Sequence, residues 1–194
     1  MITVLSSPKP GSGTSTTAAL LALAGTAPTD LVDLGGDQTR ILGFTGSPSA
    51  IGPVSPHPTV HDVSDNSVGE QAALIGQLAD RGGHVVIDAG DACHPIHHVR
   101  PSCTVRRWVI RPCYLALSRV AACPMRPDEV ILLVEPGRSL TVRNVESVVG
   151  AQVTAVIDVH PQIARAVDAD VLATRAPITA LASLTTSGLA GEVA

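Results

Sequence analysis

Aromatic side chains are scarce in this chain of 194 residues, which contains one Phe, one Trp and one Tyr. Hydrophobic residues nevertheless make up 45% of the sequence, so a core must be built from aliphatic side chains. Continuous aliphatic runs are typical of strands that are buried on both faces of a parallel sheet. The same scarcity argues against a nucleic-acid surface that stacks bases on aromatic rings.

Long apolar stretches and a basic leader are also missing. No stretch approaches the roughly 20 apolar residues of a membrane-spanning helix, and the amino terminus lacks the basic segment that begins a signal peptide. We therefore expect a cytoplasmic protein. The net charge of −4 gives no overall attraction to nucleic acid or anionic lipid. The length fits a single domain over residues 1–184, followed by a flexible tail over residues 185–194.

Metal-binding and disulfide patterns are absent as well. The four cysteines stand at ten-residue intervals, which matches neither pattern, so we expect reduced thiols. One segment does bring thiol and imidazole groups together, and such groups are suitable ligands for Zn²⁺. We favour a polar loop there over a zinc site, because the spacing fits no known ligand set. The residues concerned are Cys93, His94, His97, His98 and the more distant Cys103.

Lysine occurs once, at position 9, in the most informative segment of the chain. An apolar strand, Met1 to Leu5, leads into residues 6–17, which read S-S-P-K-P-G-S-G-T-S-T-T, and an Ala/Leu-rich helical pattern follows. Small residues between a strand and a helix let successive backbone N–H groups converge on phosphate. The alternative interpretation is an ordinary strand-to-helix turn, in which Pro, Gly and Ser are common.

This segment resembles the deviant Walker A loop of the MinD/ParA family of ATPases, which reads K-G-G-x-G-K-T-T. Two positions depart from that pattern. Pro10 replaces a glycine, which removes one backbone donor, and Thr14 replaces the lysine that reaches the outer phosphates. The positions that match are Lys9, Gly11, Gly13, Ser15 and Thr16.

Aliphatic strands and helical patterns alternate along the rest of the chain. This alternation predicts an α/β fold with a doubly wound, mostly parallel sheet and helices on both faces, as in P-loop NTPases. Residues 35–66 are rich in Gly, Pro and Ser and predict a long loop. The expected strands are 1–5, 30–34, 84–88, 108–110, 130–134 and 153–159, and the expected helices are 18–23, 68–79, 113–122, 140–149 and 161–167.

Ligands of such sheets bind at the carboxyl ends of the strands, where Lys9, Asp33 and Asp88 fall. Asp88 ends an aliphatic strand and resembles the family's Walker B aspartate. The resemblance implies that the loop binds ATP and that Ser15 and Asp88 hold Mg²⁺ when nucleotide is bound. The nucleotide-binding positions that it implies are Lys9, Gly11, Ser12, Gly13, Thr14, Ser15, Thr16 and Asp88.

The second strand departs from the family at a catalytic position. The family has a D-x-D-P-Q stretch whose second aspartate positions the attacking water, whereas residues 33–38 read D-L-G-G-D-Q here. Gly35 takes the place of that aspartate, and Asp37 is displaced from it. The catalytic candidates are Lys9, Asp33 and Asp37, and the departures predict a pseudo-ATPase that binds ATP weakly. The alternative role for such aspartates is to cap loops and helices.

The resemblance also implies partners. In the family, the first lysine reaches across a dimer interface to the partner's nucleotide, so we expect a homodimer with Lys9 at its interface. Such a protein would act in positioning or partitioning a cargo or adaptor protein. The alternatives are an active ATPase that uses Lys9 and Asp37, and a non-enzymatic protein that binds an anion or DNA.

Membrane docking is not expected, because no basic amphipathic helix closes the chain. DNA would be contacted, without sequence preference, through an arginine-rich segment over residues 100–126. Solvated strand and helix faces are the simpler explanation for this segment. Its arginines are Arg100, Arg106, Arg107, Arg111, Arg119 and Arg126.

Overall fold

The computed structural model describes residues 1–44, 58–98 and 104–188. These residues form one seven-stranded parallel sheet. Its strands are β1 (Ile2–Ser7), β2 (Thr29–Asp33), β3 (Thr59–Asp62), β4 (His84–Asp91), β5 (Thr104–Ile110), β6 (Glu129–Val134) and β7 (Gln152–Asp158). Their order in the sheet is β3-β2-β4-β1-β5-β6-β7.

Helices connect the strands and cover both faces of the sheet, which confirms the predicted fold class. They are α1 (Thr14–Ala24), α2 (Gln38–Leu42), α3 (Val68–Asp80), α4 (Tyr114–Ala122), α5 (Val142–Val149), α6 (Pro161–Asp168), α7 (Leu172–Arg175) and α8 (Ile178–Gly188), with a short 3₁₀ helix at Pro95–His98. None of the helices in the described ranges is long and apolar enough to cross a membrane.

The core lies in layers on either side of the sheet. On one face, α1 and α8 pack together and bury Leu20 and Leu184 against the strands. The other face is covered by α3, which buries Ile75, and by α4 and α5, which bury Val120 and Val145. Aliphatic side chains fill these layers, as the composition requires.

The strands β1 and β4 are adjacent at the centre of the sheet, as predicted. Ile2 pairs with Val85, and Leu5 pairs with Asp88. On the far side of β4, Asp33 at the end of β2 lies in register with Asp88. Because the strands are parallel, the segments that follow β1, β2 and β4 all emerge at one edge of the sheet.

The Gly-, Pro- and Ser-rich residues 35–66, for which the sequence predicted a long loop, contain two short elements. Residues 38–42 form α2, and residues 59–62 form the edge strand β3. Both elements are too short to show a hydrophobic period, and contacts elsewhere in the fold hold them. Residues 45–57, which include Pro48, Pro53 and Pro56, lie outside the described residues.

At the other end of the chain, α8 continues to Gly188. Residues 185–188 are therefore helical, although the sequence placed them in a flexible tail. Residues 189–194 lie outside the described residues.

Candidate functional site

The loop between β1 and α1 is shaped by two glycines with left-handed backbones. Gly11 has φ of +73° and Gly13 has φ of +89°, a region that residues with a Cβ rarely adopt. The Ser12 hydroxyl donates a hydrogen bond of 2.7 Å to the Lys9 carbonyl and closes the loop on itself. A Cβ placed on Gly11 would meet no atom within 4 Å, so open space adjoins the loop there.

The amino end of α1 suits an anion. No side chain caps it, and no acidic residue lies in its first turn. The N–H of Thr17 already donates to the Gly13 carbonyl at 2.9 Å, whereas the first-turn amides before it have no acceptor within the helix. Helix amino ends of this kind carry partial positive charge and attract phosphate groups. Thr14, at the position of the family's phosphate lysine, is 7% exposed and adds no charge.

Asp33 is fully buried and is held by backbone amides. Its Oδ1 accepts hydrogen bonds from the N–H groups of Gly35 at 3.0 Å and Gly36 at 2.9 Å, and its Oδ2 accepts one from Gln38 at 2.7 Å. Burial nevertheless raises the pKa of this carboxyl, because desolvation outweighs the three hydrogen bonds. Asp33 thus shapes the turn that leads into α2, which is the capping role considered from the sequence.

Asp88 is the second buried carboxyl of the site. Its Oδ2 accepts a hydrogen bond of 2.8 Å from Gln38 Nε2, and its Oδ1 accepts one of 3.2 Å from the N–H of Gly90. The side chain of Ser15 is also hydrogen-bonded to it. Burial raises the pKa of Asp88, and the nearby charge of Asp33 raises it further. The two residues expected to hold Mg²⁺, Ser15 and Asp88, therefore do lie together.

Gln38 is the site residue that the sequence analysis missed. Its side chain is completely buried, and its Nε2 donates both to Asp88 and to the Ser15 carbonyl, the latter at 2.9 Å. Its Oε1 is buried without a hydrogen-bond partner. One signal pointed to it, since the family's D-x-D-P-Q stretch ends in glutamine and Gln38 stands one position later. Asp37, which the sequence offered instead, is exposed at the start of α2 and makes no capping bond.

A cluster of charges lies on the other side of the loop, after β5 and β6. Glu135 follows β6 and pairs with Arg111 at 3.2 Å and with Arg138 at 2.6 Å. The hydrogen bond from Arg138 lowers the pKa of Glu135, and the charges of Arg111 and Lys9 lower it further. Lys9 itself is half-buried. The chain's one lysine therefore lies near a carboxylate at the loop edge.

The arginine-rich segment expected to meet DNA is largely paired within the protein. Arg106 lies 3.4 Å from Asp128, and Arg107 is buried and lies 2.7 Å from Glu129. Arg126 donates to the carbonyl groups of Cys123 and Met125. These pairs neutralise or occupy much of the charge that a DNA backbone would require. Arg100 lies outside the described residues.

Two histidines of the cysteine and histidine cluster form hydrogen bonds within the protein, and His97 is buried. His97 Nε2 lies 3.3 Å from the carbonyl oxygen of Asp91, and His94 Nδ1 accepts a hydrogen bond from the N–H of Ile96 at 3.2 Å. Within the described ranges, no group of three or more His, Cys, Asp or Glu side chains could hold a metal ion. This result does not support the zinc alternative; Cys103 lies outside those ranges. The described cysteines, Cys93, Cys113 and Cys123, are free thiols.

Comparison with known proteins identifies the fold. No family model matches the sequence, and no characterised protein matches it in sequence. The structure matches MinD of Aquifex aeolicus in its complex with MinC, with a TM-score of 0.74, 14% identity and coverage of 100% of this chain and 97% of the other. It matches a ParA family ATPase of Chlorobium tepidum with a TM-score of 0.72, 19% identity and 99% coverage of both chains.

A third match is the septum site-determining protein MinD of Pyrococcus horikoshii, complexed with Mg-ADP. Its TM-score is 0.71, its identity is 15%, and coverage is 98% of this chain and 96% of the other. All three likenesses extend over nearly the full length of both chains. This chain therefore has the fold of the MinD and ParA ATPases.

Proposed function

We propose that this chain is a positioning or partitioning protein of the MinD/ParA type, with a degenerate site that binds ATP or ADP weakly and hydrolyses ATP negligibly. One observation carries the proposal: the loop has the backbone of a phosphate-binding loop, but Thr14 stands where the charged lysine is expected. The glycine conformations and the uncapped start of α1 support binding of phosphate. Because Thr14 has no positive charge, the contact that the family's lysine makes with the outer phosphate groups is missing.

The donors at the site fit Mg²⁺. Hydroxyl and carboxylate oxygens are the ligands that this ion prefers, and Ser15 and Asp88 supply one of each. When bound, the ion would neutralise charge on the phosphate groups. Mg²⁺ would compete with the hydrogen bond that Gln38 donates to Asp88. That competition is a second reason to expect weak binding.

The proposal of negligible ATP hydrolysis rests on the residues of the turn after β2. Gly35 has no carboxylate, and the carboxylate of Asp33 is already engaged by three backbone N–H groups. Asp37 is exposed at the start of α2. These features support the proposal that no residue of this turn orients an attacking water, a step on which phosphoryl transfer depends.

The proposal includes a homodimer that forms through the loop face. Lys9 lies at that face and would contact the nucleotide of the partner subunit. A cargo or adaptor protein would bind the dimer, in keeping with the complex of MinD and MinC among the structural neighbours. Binding of DNA through the arginine-rich segment has no part in the proposal, because Arg106 and Arg107 are paired internally.

Three measurements test the proposal. Calorimetric titration with Mg-ATP, Mg-ADP and inorganic tripolyphosphate should show weak but saturable binding, and a phosphate-release assay should show negligible turnover. Light scattering should show about twice the monomer mass when Mg-ATP is present, as for a closed two-fold dimer. Tight binding with rapid turnover would mean an active ATPase instead. Saturable binding of tripolyphosphate with no preference for nucleotide would mean a general anion-binding protein.

A further inference from the structure

Arg111 lies beside the phosphate loop, although the sequence analysis grouped it with the arginines considered for contact with DNA. It directly follows β5, which is the sheet neighbour of β1 on the side away from β4. A Cβ placed on Gly13 would lie 3.9 Å from Nη2 of Arg111. The guanidinium therefore reaches the residue just before Thr14.

The surroundings hold Arg111 in place without fully neutralising it. Glu135 engages Nη1 of Arg111 at 3.2 Å, whereas Nη2 is the nitrogen close to Gly13. The same carboxylate also pairs with Arg138, so two guanidinium groups share one negative charge. Nε of Arg111 is buried and has no hydrogen-bond partner. This edge of the loop therefore keeps excess positive charge.

We propose that Arg111 supplies, from within the same chain, a phosphate-binding cation that Thr14 does not provide. The inference rests on the proposed function, in which the loop binds the phosphate groups of a nucleoside diphosphate or triphosphate. A guanidinium is planar, stays charged and can donate to two phosphate oxygens at once. Arg111 approaches from the β5 side of the loop, whereas the family's lysine projects from the start of the helix. Arg111 thus supplies positive charge to the bound phosphate groups from a different direction than the family's lysine.

Calorimetric titration of Mg-ADP and of inorganic tripolyphosphate into four proteins tests this role. The proteins are the wild type, Arg111→Met, Arg111→Lys and the control Arg106→Met. Loss of one charged hydrogen bond should weaken binding of both probes to Arg111→Met by about tenfold to a hundredfold. Arg111→Lys should retain part of the affinity. Arg106→Met removes a paired arginine from the opposite end of the same strand and should bind like the wild type.

A fifth protein, Glu135→Gln, makes the test independent of any general loss of structure in Arg111→Met. Glu135→Gln removes the carboxylate that engages Nη1, so it should strengthen binding, and this gain should shrink when Arg111 is already methionine. An equal gain in both backgrounds would overturn the role of Arg111. Equal binding by the wild type and a folded Arg111→Met would overturn it too, while leaving the proposed function intact. A wild type that binds neither probe would overturn the proposed function itself.

Discussion

The side-chain amide of Gln38 donates a hydrogen bond of 2.8 Å to Oδ2 of Asp88 and so links the short helix α2 to β4. The same amide donates to the carbonyl of Ser15 in α1, and the backbone N–H of Gln38 donates to Asp33. One buried residue thus contacts the end of β2, the start of α1 and β4 at this edge of the sheet. The stability of the site and its affinity for a cation should both depend on it.

Replacing Gln38 with leucine should destabilise the fold by about 1–3 kcal/mol, because a buried carboxylate and a carbonyl each lose their donor. Urea denaturation of the wild type and Gln38→Leu measures the change in the free energy of unfolding. Gln77→Leu is the matched control, since Gln77 is exposed on α3. Similar stability of Gln38→Leu and the control would show that this amide does not hold the site together.

The buried carboxyls predict a pH dependence of stability. The pKa values of Asp33 and Asp88 are raised above their ordinary value of 3.8, with burial as the main cause. Between 3.8 and the raised values, the folded state therefore binds more protons than the unfolded state. By linkage, these two groups make the free energy of unfolding fall as the pH rises through that window.

Asp88→Asn should remove the contribution of Asp88 to this trend. The measurement is urea denaturation of both proteins from about pH 4, near the ordinary carboxyl pKa, up to neutral pH. The difference in the free energy of unfolding, wild type minus variant, should decrease as the pH rises and then level off. A difference that is constant, or that increases with pH, would contradict a raised pKa for Asp88.

Strong local signals made the fold predictable, whereas the interior of the site depends on tertiary contacts. The aliphatic runs of β1 and β4 and the capping box of Ser67 and Glu70 are visible in the sequence, and the structure has all of them. Gln38 and Arg111 looked like ordinary loop or surface residues. Their roles depend on which strands are neighbours in the sheet. The order of the strands cannot be predicted from the sequence of any single segment.

The short helix α2 could not be predicted for a related reason. It spans five residues, Gln38–Leu42, and Gly43, whose φ is +79°, caps its carboxyl end. A Cβ placed on Gly43 would clash with the carbonyl oxygen of Asp170, so the backbone at Gly43 passes directly against a distant segment of the chain. A left-handed glycine is a common local end to a helix, and the close approach of Asp170 leaves no room for a side chain at this glycine.

Gly43→Ala should therefore destabilise the protein strongly, by about 3 kcal/mol or more, through a clash and an unfavourable backbone angle. Gly76→Ala is the control. Gly76 lies inside α3, and a Cβ there would meet no atom within 4 Å. Alanine in a helix interior should stabilise by about 0.5–1 kcal/mol. Thermal denaturation of both variants tests the contrast, and equal effects would argue against the close approach at Asp170.

Restoring the missing lysine tests the degenerate site directly. Thr14→Lys should strengthen binding of Mg-ATP by about tenfold to a hundredfold, the value of one charged hydrogen bond. Phosphate release should recover little, because Gly35 still provides no carboxylate to orient water. Thr26→Lys is the control for added charge, because Thr26 is exposed just beyond the opposite end of α1. Fast turnover by Thr14→Lys would show that another group orients the water.

The accessibility of Lys9 can be measured by chemical modification, because it is the only lysine in the chain. An amine-acylating reagent will modify only Lys9 and the terminal amine of Met1, which peptide mass spectrometry distinguishes. Met1 precedes β1 at the opposite edge of the sheet, where its amine donates to the Gly83 carbonyl at 2.9 Å. It serves as a control within the same molecule.

If Lys9 contacts nucleotide across a dimer interface, Mg-ATP should slow acylation of Lys9 and leave that of Met1 unchanged. The protection should also grow with protein concentration, because dimerisation follows mass action. Protection that does not vary with concentration would place the contact within one chain and contradict the dimer. Equal acylation of Lys9 with and without nucleotide, under conditions where calorimetry shows binding, would show that Lys9 does not contact the nucleotide.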